Sequence, residues 1–415
     1  MDTIKHFTGF LIRRERLRQN LSQEGLCKGI CSVSYLSKIE QGQVHAGPEI
    51  VERLLQALGL RAQIDVETEA VAARALREYF DRFLLCTLSA DGRDAWLDAH
   101  AGALESSPLA LSIELYRACI AMHTDDQAAL AAALEALSSF VDYLQGEQLA
   151  LYAMGRALLC EDGHAREEAF AQAERLRPCT LLFLWRAHFS FARGRYIQAG
   201  QEAERAYALA CEEGNGTVLF DASFLLGCCY ANQRHYPSMM RAFRRTLALA
   251  HTLRPASVGE IEYNIGATCL ELCRHEEARD WLEAALAHAS SYGVENLLVR
   301  HKLALVYTHL GLCAQAREAL AEARAFLSLD LPAIYDRMLR VAEMRLTPGY
   351  LDDPDYAALL RAVYDEAPGV LHFGFKQFHA GFLIEAYVHQ RRYKDALQIS
   401  QEIGMFSENG PFNPF

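Results

Sequence analysis

Residues 265–286 read IGATCLELCRHEEARDWLEAAL. Gly266 and Ala278 are small, and Cys269, His275 and Leu282 follow Gly266 at three, nine and sixteen residues. The same slots recur along the chain. Ala187, Gly227, Gly266, Ala304 and Ile384 form one series, at intervals of 40, 39, 38 and 80, the last equal to two units. Three residues on stand Ser190, Tyr230, Cys269, Tyr307 and Tyr387, and twelve on stand Ala199, Met239, Ala278, Ala316 and Ala396. A unit of this length with apolar residues at helical spacing is one helix pair, and a fixed period means that the pairs stack. The spacing predicts an all-α array over 74–415 of about nine helix pairs. Its pattern is looser over 74–177 and over 332–366, where TPGYLDDPD interrupts it.

The pattern resembles the tetratricopeptide repeat, with small residues where paired helices touch and aromatics between them. That family's usual period is about 34, so these helices are expected to be longer by about a turn. The resemblance implies a right-handed solenoid with a concave face. A helix turns about 100° per residue, so positions six, three and two before each small slot, and one and five after it, share a face turned away from that slot. They are Asp221, Phe224, Leu225, Cys228 and Asn232 in one unit, and Glu260, Tyr263, Asn264, Ala267 and Glu271 in the next. Leu298, His301, Lys302, Leu305 and His309 follow, with Leu184, Trp185 and His188 in an earlier unit and Tyr152 and Arg156 earlier still. Trp185 fits the core between repeats equally well, His301 and His309 fit a solvated face, and Glu271 fits an ion pair with a nearby arginine. An asparagine amide donates to a carbonyl and accepts from an N–H at once, which suits Asn264 and Asn232 to a peptide backbone.

The first 61 residues differ in kind. Phe7–Asn20 reads as a helix with Phe10, Leu11 and Leu17 on its apolar side. Ser22 is a good N-cap for a second helix and Ser32 for a third over Val33–Gln41, with Gly42 as a left-handed stop. GPEIVERLLQALGL adds a fourth helix with Ile50, Leu54, Leu55 and Leu58 inward. LSQEGLCKGICSVSYLSKIEQG, residues 21–42, followed by LLQALGL, resembles the phage-repressor type of helix-turn-helix. In that fold the third helix enters the major groove. The resemblance implies double-stranded operator DNA as partner, with Val33, Ser34, Tyr35, Ser37 and Lys38 toward base edges or phosphates and Gln23 at a phosphate. It also implies a pair, Arg16 with Glu40, tying the first helix to the third. A linker is expected over 62–73.

Charge divides the same way. The chain of 415 residues has a formal charge of −12, yet residues 1–61 hold nine basic and six acidic residues against 32 and 47 in the rest. Only the head is suited to nucleic acid. Half the chain is hydrophobic, so disorder is not expected. No apolar run reaches the ~18 residues of a membrane span, and Met1–Asn20, with RRERLRQN, does not read as a secretion leader. A cytoplasmic protein is expected. The twelve cysteines form no CxxC pair; Cys27/Cys31, Cys228/Cys229 and Cys269/Cys273 are the close groups, and all read as packing residues, with no metal and no cofactor.

A helix-turn-helix head on a tetratricopeptide array resembles the RRNPP family of peptide-sensing regulators, and the length, the short GICS turn and the repeat number resemble its NprR-like branch. EYNIG, 262–266, resembles the family stretch whose asparagine clamps the peptide backbone. The resemblance implies a homodimer or higher oligomer, a short imported signalling peptide in the groove, and transcription switched by it. Two alternatives stand beside this: a protein binding a response regulator of a phosphorelay, and a peptide-independent repressor with a scaffold solenoid. No P-loop, GxSxG, HExxH or dinucleotide fingerprint is present, so an enzyme is not expected.

Overall fold

The structure, a computed structural model, describes residues 7–44, 46–60, 65–288, 294–327, 331–370 and 373–404. Their regular structure is all helix, with no strand among the described residues. The chain folds as two compact units, Met1–Leu182 and Phe183–Phe415.

The first unit begins with α1 (Phe7–Arg18), α2 (Gln23–Cys27), α3 (Val33–Glu40) and α4 (Pro48–Ala57). Ser22 and Ser32 are the N-caps, their hydroxyls accepting from the Gly25 and Tyr35 amides at 2.9 and 3.2 Å. Gly42 follows α3 with φ +67°, a conformation that costs glycine nothing. Ile12, Leu26, Leu36, Ile39, Leu54 and Leu58 form the small core. Leu17, expected inside, is 45 % exposed, and Ile12 fills that place. The reason is that α1 is buried on a second side. Phe10 meets Phe140 and Tyr143 edge-on, with ring centroids 4.7 and 6.0 Å apart. The Arg13 guanidinium lies over the same two rings, and Arg14 donates to the Glu105 carbonyl. The head is therefore seated on the first repeats of its own unit.

The expected linker is largely helix. Residues 61–64 lie outside the described residues, but α5 (Val66–Leu84) begins at once after Asp65, whose carboxylate caps it by accepting from the Thr68 amide at 2.8 Å. Ala72, Ala73 and Leu76 are buried, so this stretch is held by packing as well as by its cap. There follow α6 (Ala95–Leu104), α7 (Ala110–His123), α8 (Gln127–Ser138), α9 (Glu147–Leu159) and α10 (Gly163–Leu176).

Then come α11 (Thr180–Ala192), α12 (Tyr196–Glu213), α13 (Gly216–Asn232), α14 (Tyr236–Leu253), α15 (Val258–Glu271) and α16 (His275–His288). The chain closes with α17 (Val294–His309), α18 (Cys313–Arg324), α19 (Ile334–Met344), α20 (Pro354–Val370), α21 (Phe373–His389) and α22 (Tyr393–Gly404). The eighteen helices α5–α22 make nine pairs among the described residues. The break at TPGYLDDPD is only a short 3-10 turn, Tyr350–Asp352, between α19 and α20.

The small slots are where paired helices touch. Ala187 and Ala304 are wholly buried. A Cβ on Gly266 would lie 2.6 Å from Leu282 Cγ, and one on Gly227 would overlap the Phe243 ring. Each glycine thus admits the large residue sixteen positions on, in the second helix of its pair. The sum over pairs is a continuous core from Phe220 to Ile403 within the second unit. No helix among the described residues is long and apolar enough to cross a membrane.

Candidate functional site

The expected site residues fall on two candidate surfaces, one in each unit. In the head, Val33, Ser34, Ser37 and Lys38 lie one and four residues apart and share one side of α3; Val33, Ser34 and Lys38 are exposed and Ser37 is half-buried. Tyr35 is half-buried against the head core. Gln23 is less available than expected. Its side-chain amide donates to Glu40 Oε2 at 2.8 Å. The same carboxylate accepts from Arg16 Nε and Nη2 at 2.6 and 2.8 Å, and Arg16 Nη1 donates to the Leu21 carbonyl at 2.8 Å. One buried carboxylate thereby joins α1, α2 and α3.

In the second unit, α13, α15, α17 and α21, with Phe191 of α11 and Ala285 and His288 of α16, line a cavity of about 460 Å³. That is within the range of small-ligand sites. Of the expected residues, Phe224, Asn232, Glu260, Tyr263, Asn264 and Lys302 line it, as do Cys228, Ala267, Glu271 and Leu298. Asn232 closes α13, five residues after the Gly227 slot, and Asn264 stands in α15, two residues before the Gly266 slot; each donates from Nδ2 to the carbonyl one turn back, Cys228 at 2.8 Å and Glu260 at 2.9 Å.

Other expected residues do not line it. His301 is fully buried beside His379, because a step of one residue from Lys302 turns it 100° into the packing against α21. Asp221 pairs with Arg254, whose guanidinium also covers Phe220. Leu225 belongs to the core. His188 and Trp185 are on α11 without reaching the cavity wall, and burial holds His188 below its ordinary value against the pull of Asp221. Tyr152 and Arg156 are on α9 in the first unit, the tyrosine buried and the arginine exposed.

Lining groups that were not foreseen include Phe375, Gln377 and Phe378 of α21. The signal was present, since Phe378 is six residues before the Ile384 slot, in the aromatic run FGFKQFH. Glu295 and His288 also contribute.

The electrostatics are uneven. Glu260 is pushed up by burial and by neighbouring Glu295. Glu271 is pushed up by burial, with Lys302 and Arg234 opposing. Lys302, 3 % exposed, is drawn down to about 7 by burial, with Glu271 opposing. Its Nζ lies 2.7 Å from the centroid of Phe378, a cation–π contact. Behind it His379 is drawn down to about 3 and His301 well below its ordinary value, first by burial and then by the charge of Lys302.

The two histidines give the protein an acid-sensitive core. Their folded values lie below the ordinary 6.5. Above pH 6.5 both states are neutral and nothing is lost. As the pH falls from 6.5 toward 3, the unfolded chain takes up protons that the native state refuses. Stability should then decline by up to about 1.4 kcal/mol per pH unit for each imidazole. Urea melts between pH 7 and 4 measure the slope, which His379→Phe should reduce; an unchanged slope would remove His379 as a cause.

Residues 12–64 match the helix-turn-helix family model, and residues 257–328 match that of the tetratricopeptide repeat. No curated protein sequence matches the chain. Among solved structures, the apo form of the quorum sensor NprR from B. thuringiensis is similar at 15 % identity and TM-score 0.61, over 82 % of this chain and 99 % of that one. A Rap protein complexed with Competence and Sporulation Factor is similar at 15 % identity and TM-score 0.57, over 81 % and 98 %. The chain has the fold of the RRNPP-type regulators. NprR in complex with its cognate peptide NprX is also similar, at 15 % identity and TM-score 0.52, over 78 % and 97 %. Both matched families are binding modules without chemistry of their own.

Proposed function

We propose that this chain is a cytoplasmic transcriptional regulator, dimeric or of higher order, whose DNA-binding head is controlled by a short signalling peptide held in the cavity of the second unit. The observation that carries the reading is a pair of asparagines on one cavity wall. Asn232 at the end of α13 and Asn264 within α15 are both on the wall of one cavity. Each spends one N–H on its own helix and keeps a carbonyl oxygen and a second N–H for another backbone. Tyr263 and Phe224 supply apolar area beside them. The NprR structure solved in complex with its cognate peptide NprX supports the same use of this fold. The exposed side of α3, with Ser34, Ser37 and Lys38, is the part of the head suited to bases, as an Arg or Lys suits guanine and a serine either partner.

The test is affinity selection from a randomised hexapeptide library, read by mass spectrometry, followed by calorimetry with the retained sequences. Asn264→Ala should weaken binding about tenfold to a hundredfold, the ~1–3 kcal/mol of unpaired peptide groups. Its melting temperature should be unchanged, because the Asn264 side chain contacts the cavity and its own helix turn. Retention of no peptide by the wild type, or equal affinity in the variant, would count against the reading.

A further inference from the structure

The cavity wall holds a buried cation that no salt bridge reaches among the described residues. Lys302 is 3 % exposed and lines the cavity, yet it makes no ion pair among the described residues. Its ammonium rests on Phe378 at 2.7 Å and on Phe375 at 5.6 Å from the ring centroids. Glu271, the acid that pulls on it electrostatically, is on the same wall without being in salt-bridge contact. Leu298 and Val299 complete an apolar surround. An ammonium removed from water in this way is unstable unless something completes it.

Two further acids of the wall, Glu260 and Glu295, stand together. Glu260 opens α15 and Glu295 opens α17, and the two are near enough to repel each other. Glu295 and Lys302 are seven residues apart on α17, which is two turns, so they share a side of the helix about 10 Å apart along its axis. Among the described residues, the cavity therefore has two acids without a cation toward one end, and toward the other Lys302 with Glu271 acting on it from beyond salt-bridge distance.

We propose that Lys302 is the receptor for a carboxylate of the bound peptide, and that Glu260 and Glu295 receive a cationic group about three extended residues away from it. This rests on the peptide reading above. A carboxylate entering beside Lys302 forms a charge-assisted hydrogen bond in a site with little water, where such bonds are strongest. The same carboxylate is repelled from the Glu260–Glu295 end, so the charges set the direction of the chain. The carboxylate is either the peptide C-terminus or an Asp or Glu side chain.

Four hexapeptide libraries separate these sources: C-terminal acid or amide, each with or without Asp and Glu in the mixture. The full-length protein should retain carboxylate-bearing peptides at least tenfold over the amidated, Asp/Glu-free library, and the arm that is enriched identifies the source. Lys302→Met should abolish the preference while peptides still bind, and its melting temperature should hold or rise, since an unpaired ammonium has been replaced by an apolar chain. Lys302→Arg should keep the preference. Glu260→Gln with Glu295→Gln should reduce selection of peptides carrying Lys or Arg. Equal retention of all four libraries by the wild type would overturn the proposal while leaving peptide binding intact. A preference that survives Lys302→Met, with a lowered melting temperature, would make Lys302 a structural cation on Phe378 and would also overturn it. Retention from no library would overturn this proposal together with the peptide reading.

Discussion

Glu40→Ala should unfold the head and abolish DNA binding while leaving the second unit intact. Glu40 is 2 % exposed and accepts from Arg16 twice and from Gln23 once. Removing it leaves the Arg16 guanidinium, itself 8 % exposed, with only the Leu21 carbonyl. A buried ion pair that loses one member costs about 3–5 kcal/mol, because the other charge stays desolvated and uncompensated. A core as small as this one has little stability to spare. Replacing both partners, Arg16→Met with Glu40→Met, should cost much less, since neither charge then remains. Hydrogen exchange on the full chain is the measurement. Amides of α1 and α3 should lose protection and those of 183–404 should not. Unchanged protection in α3 would show that the pair is not needed to hold the head.

Gly227→Ala should destabilise the second unit and weaken peptide binding together. The added methyl would overlap the Phe243 ring, which is wholly buried between α13 and its neighbours. Neither side has room to move, and overpacking of this kind costs about 1–3 kcal/mol or more. The displaced helix α13 carries Phe224, Cys228 and Asn232 on the cavity wall. Shrinking the opposing residue in the double variant Gly227→Ala/Phe243→Leu should restore much of the melting temperature. If Gly227→Ala melts like the wild type, the slot is looser than its geometry indicates.

Much of this architecture is legible in the residues alone, for a definite reason. Within one repeat, the contacts that matter join positions twelve and sixteen residues apart, and so they leave a period in the chain. Gly227 against Phe243 and Gly266 against Leu282 are such contacts. The caps at Ser22 and Ser32 are more local still. Helix rotation likewise places Asn232, Tyr263, Asn264 and Lys302 on one kind of face, and the cavity is built from them. The sequence by itself therefore determined the helix-turn-helix head, the nine pairs, their register and most of the candidate wall. Only the tertiary structure decided what depends on partners without a periodic relation to them. Phe10 finds Phe140 and Tyr143 across some 130 residues, which seats the head and leaves Leu17 outside. His301 and Lys302 are equal candidates by rotation, yet α21, arriving from more than seventy residues away, buries the first against His379 and leaves the second on the cavity wall. Long-range contacts of this kind are set by shape and by competition for burial, and shape exists only once the helices have packed.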